Sequence, residues 1–117
     1  MFGNLGNIAG LLKGAQEMQK RMAELEERLK GQRVEGSAGG DLVRVIVDGR
    51  GHIERVTVDR SLLNSEDKET LEELTAAACN QAVSRAKQRA QGEMTTLLGG
   101  LDVPPGILDS PLFKQGA

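Results

Sequence analysis

Tryptophan and tyrosine are absent from this chain, and its two phenylalanines, Phe2 and Phe113, stand near its two ends. A core must therefore be assembled from Leu, Val, Ile, Ala and Met, which bury less area per side chain than aromatic rings. The missing rings also remove the platforms on which single-stranded nucleic acids usually stack. A single cysteine, Cys79, excludes an internal disulfide, and with no charged-plus-apolar leader at the start it points to a reducing cytoplasm. No uninterrupted apolar run is long enough to span a bilayer, so no membrane partner is expected. An excess of positive charge is missing too. The formal net charge is -2 and the pI about 5.4, so attraction to nucleic acid must come from local clusters.

Catalytic equipment is equally sparse, with one histidine and one cysteine in 117 residues. His52 directly follows an Asp-Gly-Arg-Gly turn and reads as a solvated turn residue rather than a general base. Cys79 follows Ala76, Ala77 and Ala78 on a close-packed helix, where a thiol behaves as a small apolar group. Gly49-Arg50-Gly51 lacks the strand, loop and helix order of a phosphate cradle, and a hairpin turn explains it. The carboxylates from Glu66 to Glu73 suit an acidic helix start better than a calcium site. We therefore expect no catalytic residue, no metal, no cofactor and no small-molecule substrate.

What is present is periodicity. Leu11, Ala15, Met18, Met22, Leu25 and Leu29 recur in steps of four and three, which predicts a helix from about Leu11 to Lys30 with one narrow apolar seam. The preceding residues 1–10, with Gly3, Gly6 and Gly10, read as a flexible N-terminal arm. From Gln32 the period changes to two. Val34 to Ser37 forms a weak strand; Val43, Val45 and Val47 alternate with Ile46 in a second; His52 to Asp59 forms a third across the Asp48–Gly51 turn. Asn64 and Ser65 are good helix caps, and a second stripe follows in Leu71, Leu74, Ala78, Ala82, Ala86, Ala90, Met94 and Leu97. Its alanines let another element approach closely. Pro104, Pro105 and Pro111 exclude further helix, leaving residues 101–117 as a tail that is extended or disordered.

These elements define an α+β domain over residues 11–100, two long helices flanking a three-stranded antiparallel β-meander. Met18, Met22, Leu25, Leu29, Leu71, Leu74 and Ala78 are expected to pack the core or a dimer contact. A chain of this size buries only about two thirds of its unfolded surface. An aromatic-free core with long apolar seams therefore points to a homodimer.

Charge is unevenly spread along both helices. Lys13, Lys20 and Arg21 precede Glu24, Glu26 and Glu27 in the first; Glu66 to Glu73 precede Arg85, Lys87 and Arg89 in the second. If the end of the first helix and the start of the second meet at the sheet, the acidic halves gather there and the basic halves form a distal tip. Two readings stand. The charges form a solvated surface supported by pairs such as Glu17 with Arg21, or the six cations, doubled by dimer symmetry, contact the phosphates of double-stranded DNA. A protein-interaction adaptor, whose coiled-coil-like arms clasp a partner protein, is the alternative from another class.

In order and spacing the chain resembles the YbaB/EbfC family of bacterial nucleoid-associated proteins. The resemblance rests on Met1-Phe2-Gly3 and the Gly-rich opening, Gln16-Glu17-Met18-Gln19, Glu35-Gly36 with Gly39-Gly40, and Val43 to Gly51. It continues through Leu71-Glu72-Glu73-Leu74, Ala77-Ala78 and Asn80 to Gly99-Gly100-Leu101 and Pro104-Pro105-Gly106. It implies a tweezer-like homodimer with a β core and protruding helical arms that binds DNA in the cytoplasm and nucleoid, alters its conformation and has no enzymatic activity. No fixed signature of DNA-contacting residues comes with it.

Overall fold

The computed structural model describes residues 2–99. In chain order these form α1 (Phe2–Lys30), β1 (Val34–Ala38), β2 (Val43–Val47), β3 (Ile53–Val58) and α2 (Lys68–Gly99), with single 3-10 turns at Arg60–Leu62 and Ser65–Asp67. The strands make one antiparallel sheet in the order β1-β2-β3. The fold is thus the expected α+β arrangement of two long helices and a three-stranded meander. The tail assigned to residues 101–117 lies outside the described residues.

The core sits between one face of the sheet and α2. Alternation turns Val43, Val45 and Val47 to the same side of β2, where all three are fully buried. Ala78, Ala82 and Ala86 cover them and are fully buried as well. The approach is closest at Gly36, paired with Val45 in the register, where a Cβ would lie 2.5 Å from both the Ala78 carbonyl oxygen and the Ala82 nitrogen. The alanine stripe and the glycine in β1 are two halves of one contact. The 3-10 turn Ser65–Asp67 that leads into α2 is capped by Asn64, whose side-chain oxygen accepts from the Glu66 and Asp67 N–H groups at 2.9 Å each.

The β2–β3 turn is organised by Asp48, 2% exposed. Its Oδ1 accepts from the Arg50 and His52 N–H groups at 2.8 and 3.1 Å, and its Oδ2 accepts from the Arg50 guanidinium at 2.8 Å. Burial alone would raise the Asp48 pKa; the hydrogen bonds from Arg50 and His52 and the Arg50 charge outweigh it and hold the carboxyl below its ordinary value of 3.8. A carboxylate depressed in the folded state stabilises fully above its unfolded pKa and loses that contribution as pH falls through the folded value. Asp48→Asn should therefore cost about 1–3 kcal/mol at neutral pH, with the deficit shrinking in acid. Urea melts from pH 7 downward check this: a deficit that stays constant across the range would show that the carboxylate charge plays no part.

Two expectations are corrected. α1 begins at Phe2, nine residues before Leu11, so residues placed in an N-terminal arm continue the helix. Once a helix is running, each added residue gains a hydrogen bond, so scattered glycines weaken it without ending it, and no proline interrupts the segment. The second correction concerns where the helices meet. Three strands are an odd number of crossings, so β3 delivers the chain to the end of the sheet opposite the one at which α1 left it. α2 consequently starts far from α1 and runs back over β1 and β2 before meeting it. Arg28 approaches Glu93 at 3.8 Å, and the Gln32 amide donates to Glu93 at 2.8 Å. The acidic start of α2 and the acidic end of α1 do not converge.

Candidate nucleic-acid interface

α1 and α2 are antiparallel where they touch. Met22, Leu25, Leu29 and Met94 line the junction, and Leu25 and Leu98 are buried at 4% and 5% exposure. Glu93 of α2 meets Arg28 of α1, and α2 continues from there only to Gly99, about 9 Å further along the antiparallel course. The part of α1 that precedes Met22 therefore projects past the end of α2. Residues 7–17 of that projection are exposed without exception, and only Met18 and Arg21 are half-buried between residues 7 and 22.

This placement sorts the six cations into two groups. Lys13, Lys20 and Arg21 ride on the projecting part of α1, against a single acid, Glu17. Lys20 and Arg21 share a shallow surface depression with Glu17 and Glu24, so part of their field is offset locally. Arg85, Lys87 and Arg89 do not join them at a distal tip. Arg85 lies over the sheet, where its guanidinium donates to the Glu35 carbonyl at 2.9 Å, four residues beyond Gln81, which accepts from the Ser37 N–H at 2.7 Å. Lys87 and Arg89 are exposed near that same end of the sheet, at the base of the projection. The acids Glu66, Asp67, Glu69, Glu72 and Glu73 occupy the opposite pole. The molecule is therefore polarised along its length, but by α1 rather than by the pairing of two basic helix halves.

Of the residues expected to pack, Leu25 and Ala78 are buried, Met18, Leu29, Leu71 and Leu74 are half-buried, and Met22 is 37% exposed. β3 is the larger departure. Its register sets Ile53 and Val56 opposite Val47 and Val45, yet they are 51% and 44% exposed, because α2 crosses β1 and β2 and leaves β3 exposed except at Val58. Two arginines missed in the sequence, Arg44 and Arg55, are exposed on adjacent strands of the sheet face away from α2, and neither makes an ion pair among the described residues. Their alternation with buried Val43 and Val45 was the available signal. His52 is exposed beside the turn. No group of three potential metal-ligating side chains occurs among the described residues, and none of their helices is long and apolar enough to cross a membrane.

A projecting helix with three basic residues against one acid gives the α+β body an extended cationic surface. Residues 4–101 match the model of the YbaB/EbfC DNA-binding family. The chain is 41% identical over 105 residues to the nucleoid-associated protein Pfl01_1806 of Pseudomonas fluorescens, covering 87% of this chain and 94% of that one. The uncharacterized protein HP0035 from Helicobacter pylori, a crystal structure, superposes with a TM-score of 0.67 at 30% identity, covering 79% of this chain and 94% of its own. The chain belongs to the YbaB/EbfC DNA-binding family.

Proposed function

We propose that this protein is a nucleoid-associated, double-stranded DNA-binding protein that works in the bacterial cytoplasm as a homodimer and grips the phosphate backbone through its α1 arms. The observation that carries the reading is the arm: a helix projecting past α2, with three basic residues against one acidic residue, in a member of a DNA-binding family. Phosphate contacts of this kind fix position without reading sequence, so unrelated duplexes should bind alike. Two arms related by dimer symmetry would meet a duplex from two sides, and closing them would change its path. Arg89, exposed at the base of each arm, would extend the contact. Arg85 contributes less, because its guanidinium is already engaged with Glu35.

The dimer contact follows from β3. A strand with an open edge and an uncovered apolar side is a surface that a stable lone chain would protect. Leu63, 64% exposed in the connection to α2, adds to it. Covering Ile53, Val56 and Leu63 with a second copy completes the core that α2 leaves unfinished.

Changing Lys13, Lys20 and Arg21 together to Gln tests the arm. These substitutions keep helix propensity and should lower the slope of log K against log salt by about one unit for each phosphate that is no longer neutralised, weakening all duplexes equally. Arg85→Gln alone should leave the slope nearly unchanged. If the triple variant binds with the parent's affinity and slope, phosphate binding by α1 is wrong.

A further inference from the structure

The joint between α1 and α2 has a loose apolar lining crossed by a directed polar contact. Met22, Leu25, Leu29 and Met94 surround an open cavity of about 420 Å³, and methionine side chains adapt to many arrangements, so this lining alone does not define an angle. Glu93 stands beside it as the one acid of α2 after Glu73. The Gln32 amide donates to Glu93 Oε1 at 2.8 Å, and the Arg28 guanidinium reaches the same oxygen at 3.8 Å. On its other side the end of α1 is pressed against the hairpin turn. The Gly49 N–H donates to the Leu29 carbonyl at 2.8 Å, and a Cβ on Gly49 would lie 2.7 Å from that carbonyl oxygen and 2.8 Å from Gln32 Oε1. Glu93 Oε2 and Gln32 Oε1 are buried and accept no hydrogen bond among the described residues. Two unmet acceptors cost stability. The pair is therefore a poor fastener, and what it supplies is direction, since a hydrogen bond weakens steeply when bent.

We propose that Glu93 is a positioning residue for the arm: as acceptor for Gln32 it fixes the angle at which α1 leaves the body, and with it the place of the arm's cations. The Gln32 hydrogen bond carries this rather than the Arg28 pair, because the Arg28 side chain is 60% exposed and 3.8 Å away, and such surface pairs hold little. The arm amplifies the joint. From Leu29 back to Lys13 is about 24 Å of helix, so a tilt of about 10° moves Lys13 by about 4 Å. Successive phosphates of one DNA strand advance by about 3.4 Å. An arm with a free angle would thus spread its cations over several phosphate registers, and ordering them on binding costs affinity that a fixed angle does not. This consequence for DNA rests on the arm reading above; the fixed angle itself does not.

Spin labels test it at two exposed positions, Gln16→Cys on the arm and Ser84→Cys on the body, in a full-length Cys79→Ala chain diluted with unlabelled protein. They report the arm angle as a distance distribution, without DNA. Glu93→Ala should widen that distribution by about twofold or more, whereas Glu93→Gln, which still accepts from Gln32, should keep the parent's width. Amides of residues 78–86 should stay protected from exchange in both variants, showing that the body is folded. Glu93→Ala should also weaken duplex binding by about tenfold with the slope of log K against log salt kept, because every cation remains. Equal widths in the parent and Glu93→Ala, a Glu93→Gln variant as broad as Glu93→Ala, or unchanged duplex affinity in Glu93→Ala would overturn the proposal. A parent that shows no salt-dependent DNA binding would instead end the phosphate reading, and the distance distributions would still decide the joint.

Discussion

Gly36→Ala should be the most damaging single-methyl change in this protein, and Gly36→Val should prevent stable folding. The methyl group of alanine would stand 2.5 Å from the Ala78 oxygen and the Ala82 nitrogen and 2.8 Å from the Ala82 Cα. All three are backbone atoms of α2, so no side chain can rotate away. Relief requires α2 to lift off the sheet, which would uncover Val43, Val45 and Val47. Overpacking a core costs about 1–3 kcal/mol when neighbours can shift, and here the neighbour is a 32-residue helix. We expect Gly36→Ala at or above the top of that range. Gly92→Ala is the control, because nothing lies within 4 Å of its would-be Cβ, and removing a helical glycine should stabilise by about 0.4–1 kcal/mol. Denaturant melts ranking the two variants in the opposite order would refute the close approach of α2 to β1.

Val56→Asp should convert the protein to monomer while leaving the fold of each chain intact. In the single chain Val56 is 44% exposed on β3, so a carboxylate there keeps its water and costs little. Covered by a second copy, the same carboxylate would be buried without a partner, at about 3–5 kcal/mol. Each 1.4 kcal/mol is tenfold in affinity, so the dimer should weaken by about 100-fold or more. Sedimentation measures the weakening, and circular dichroism at the same concentration shows whether helix content is kept. A variant that sediments as a dimer with the parent's affinity would place the interface elsewhere. Disappearance of helix and dimer together would mean that β3 belongs to the core of each chain.

Particular residues show how far the sequence carried. Period-two alternation at Val43, Val45 and Val47 identified the central strand and its buried side, because a strand offers only two faces. Asn64 announced the approach to α2, because its side chain caps the 3-10 turn that leads into the helix. Asp48 and Gly49 announced the hairpin. Local signals of this kind act within a few residues and survive into the fold. The relation between the helices was not legible in that way, since it depends on the parity of the strand count and on which strands α2 crosses. The sequence therefore located the charges but not their grouping: Arg85 lies on the sheet, and Lys13, Lys20 and Arg21 on the arm. The exposure of Ile53 and Val56 was hidden for the same reason, because alternation shows which side a residue faces and not whether anything covers it. The start of α1 was missed because glycine content is a weak guide once a helix is already running.

If the protein holds DNA by its phosphates, salt governs the affinity. Titrating the full-length protein against two duplexes of unrelated sequence, over a series of salt concentrations, measures it most directly. Parallel lines of log K against log salt are expected for both duplexes, with a slope of about -0.9 for each phosphate neutralised and a total of several units from two arms. Binding that is indifferent to salt, or confined to one of the two duplexes, would contradict it.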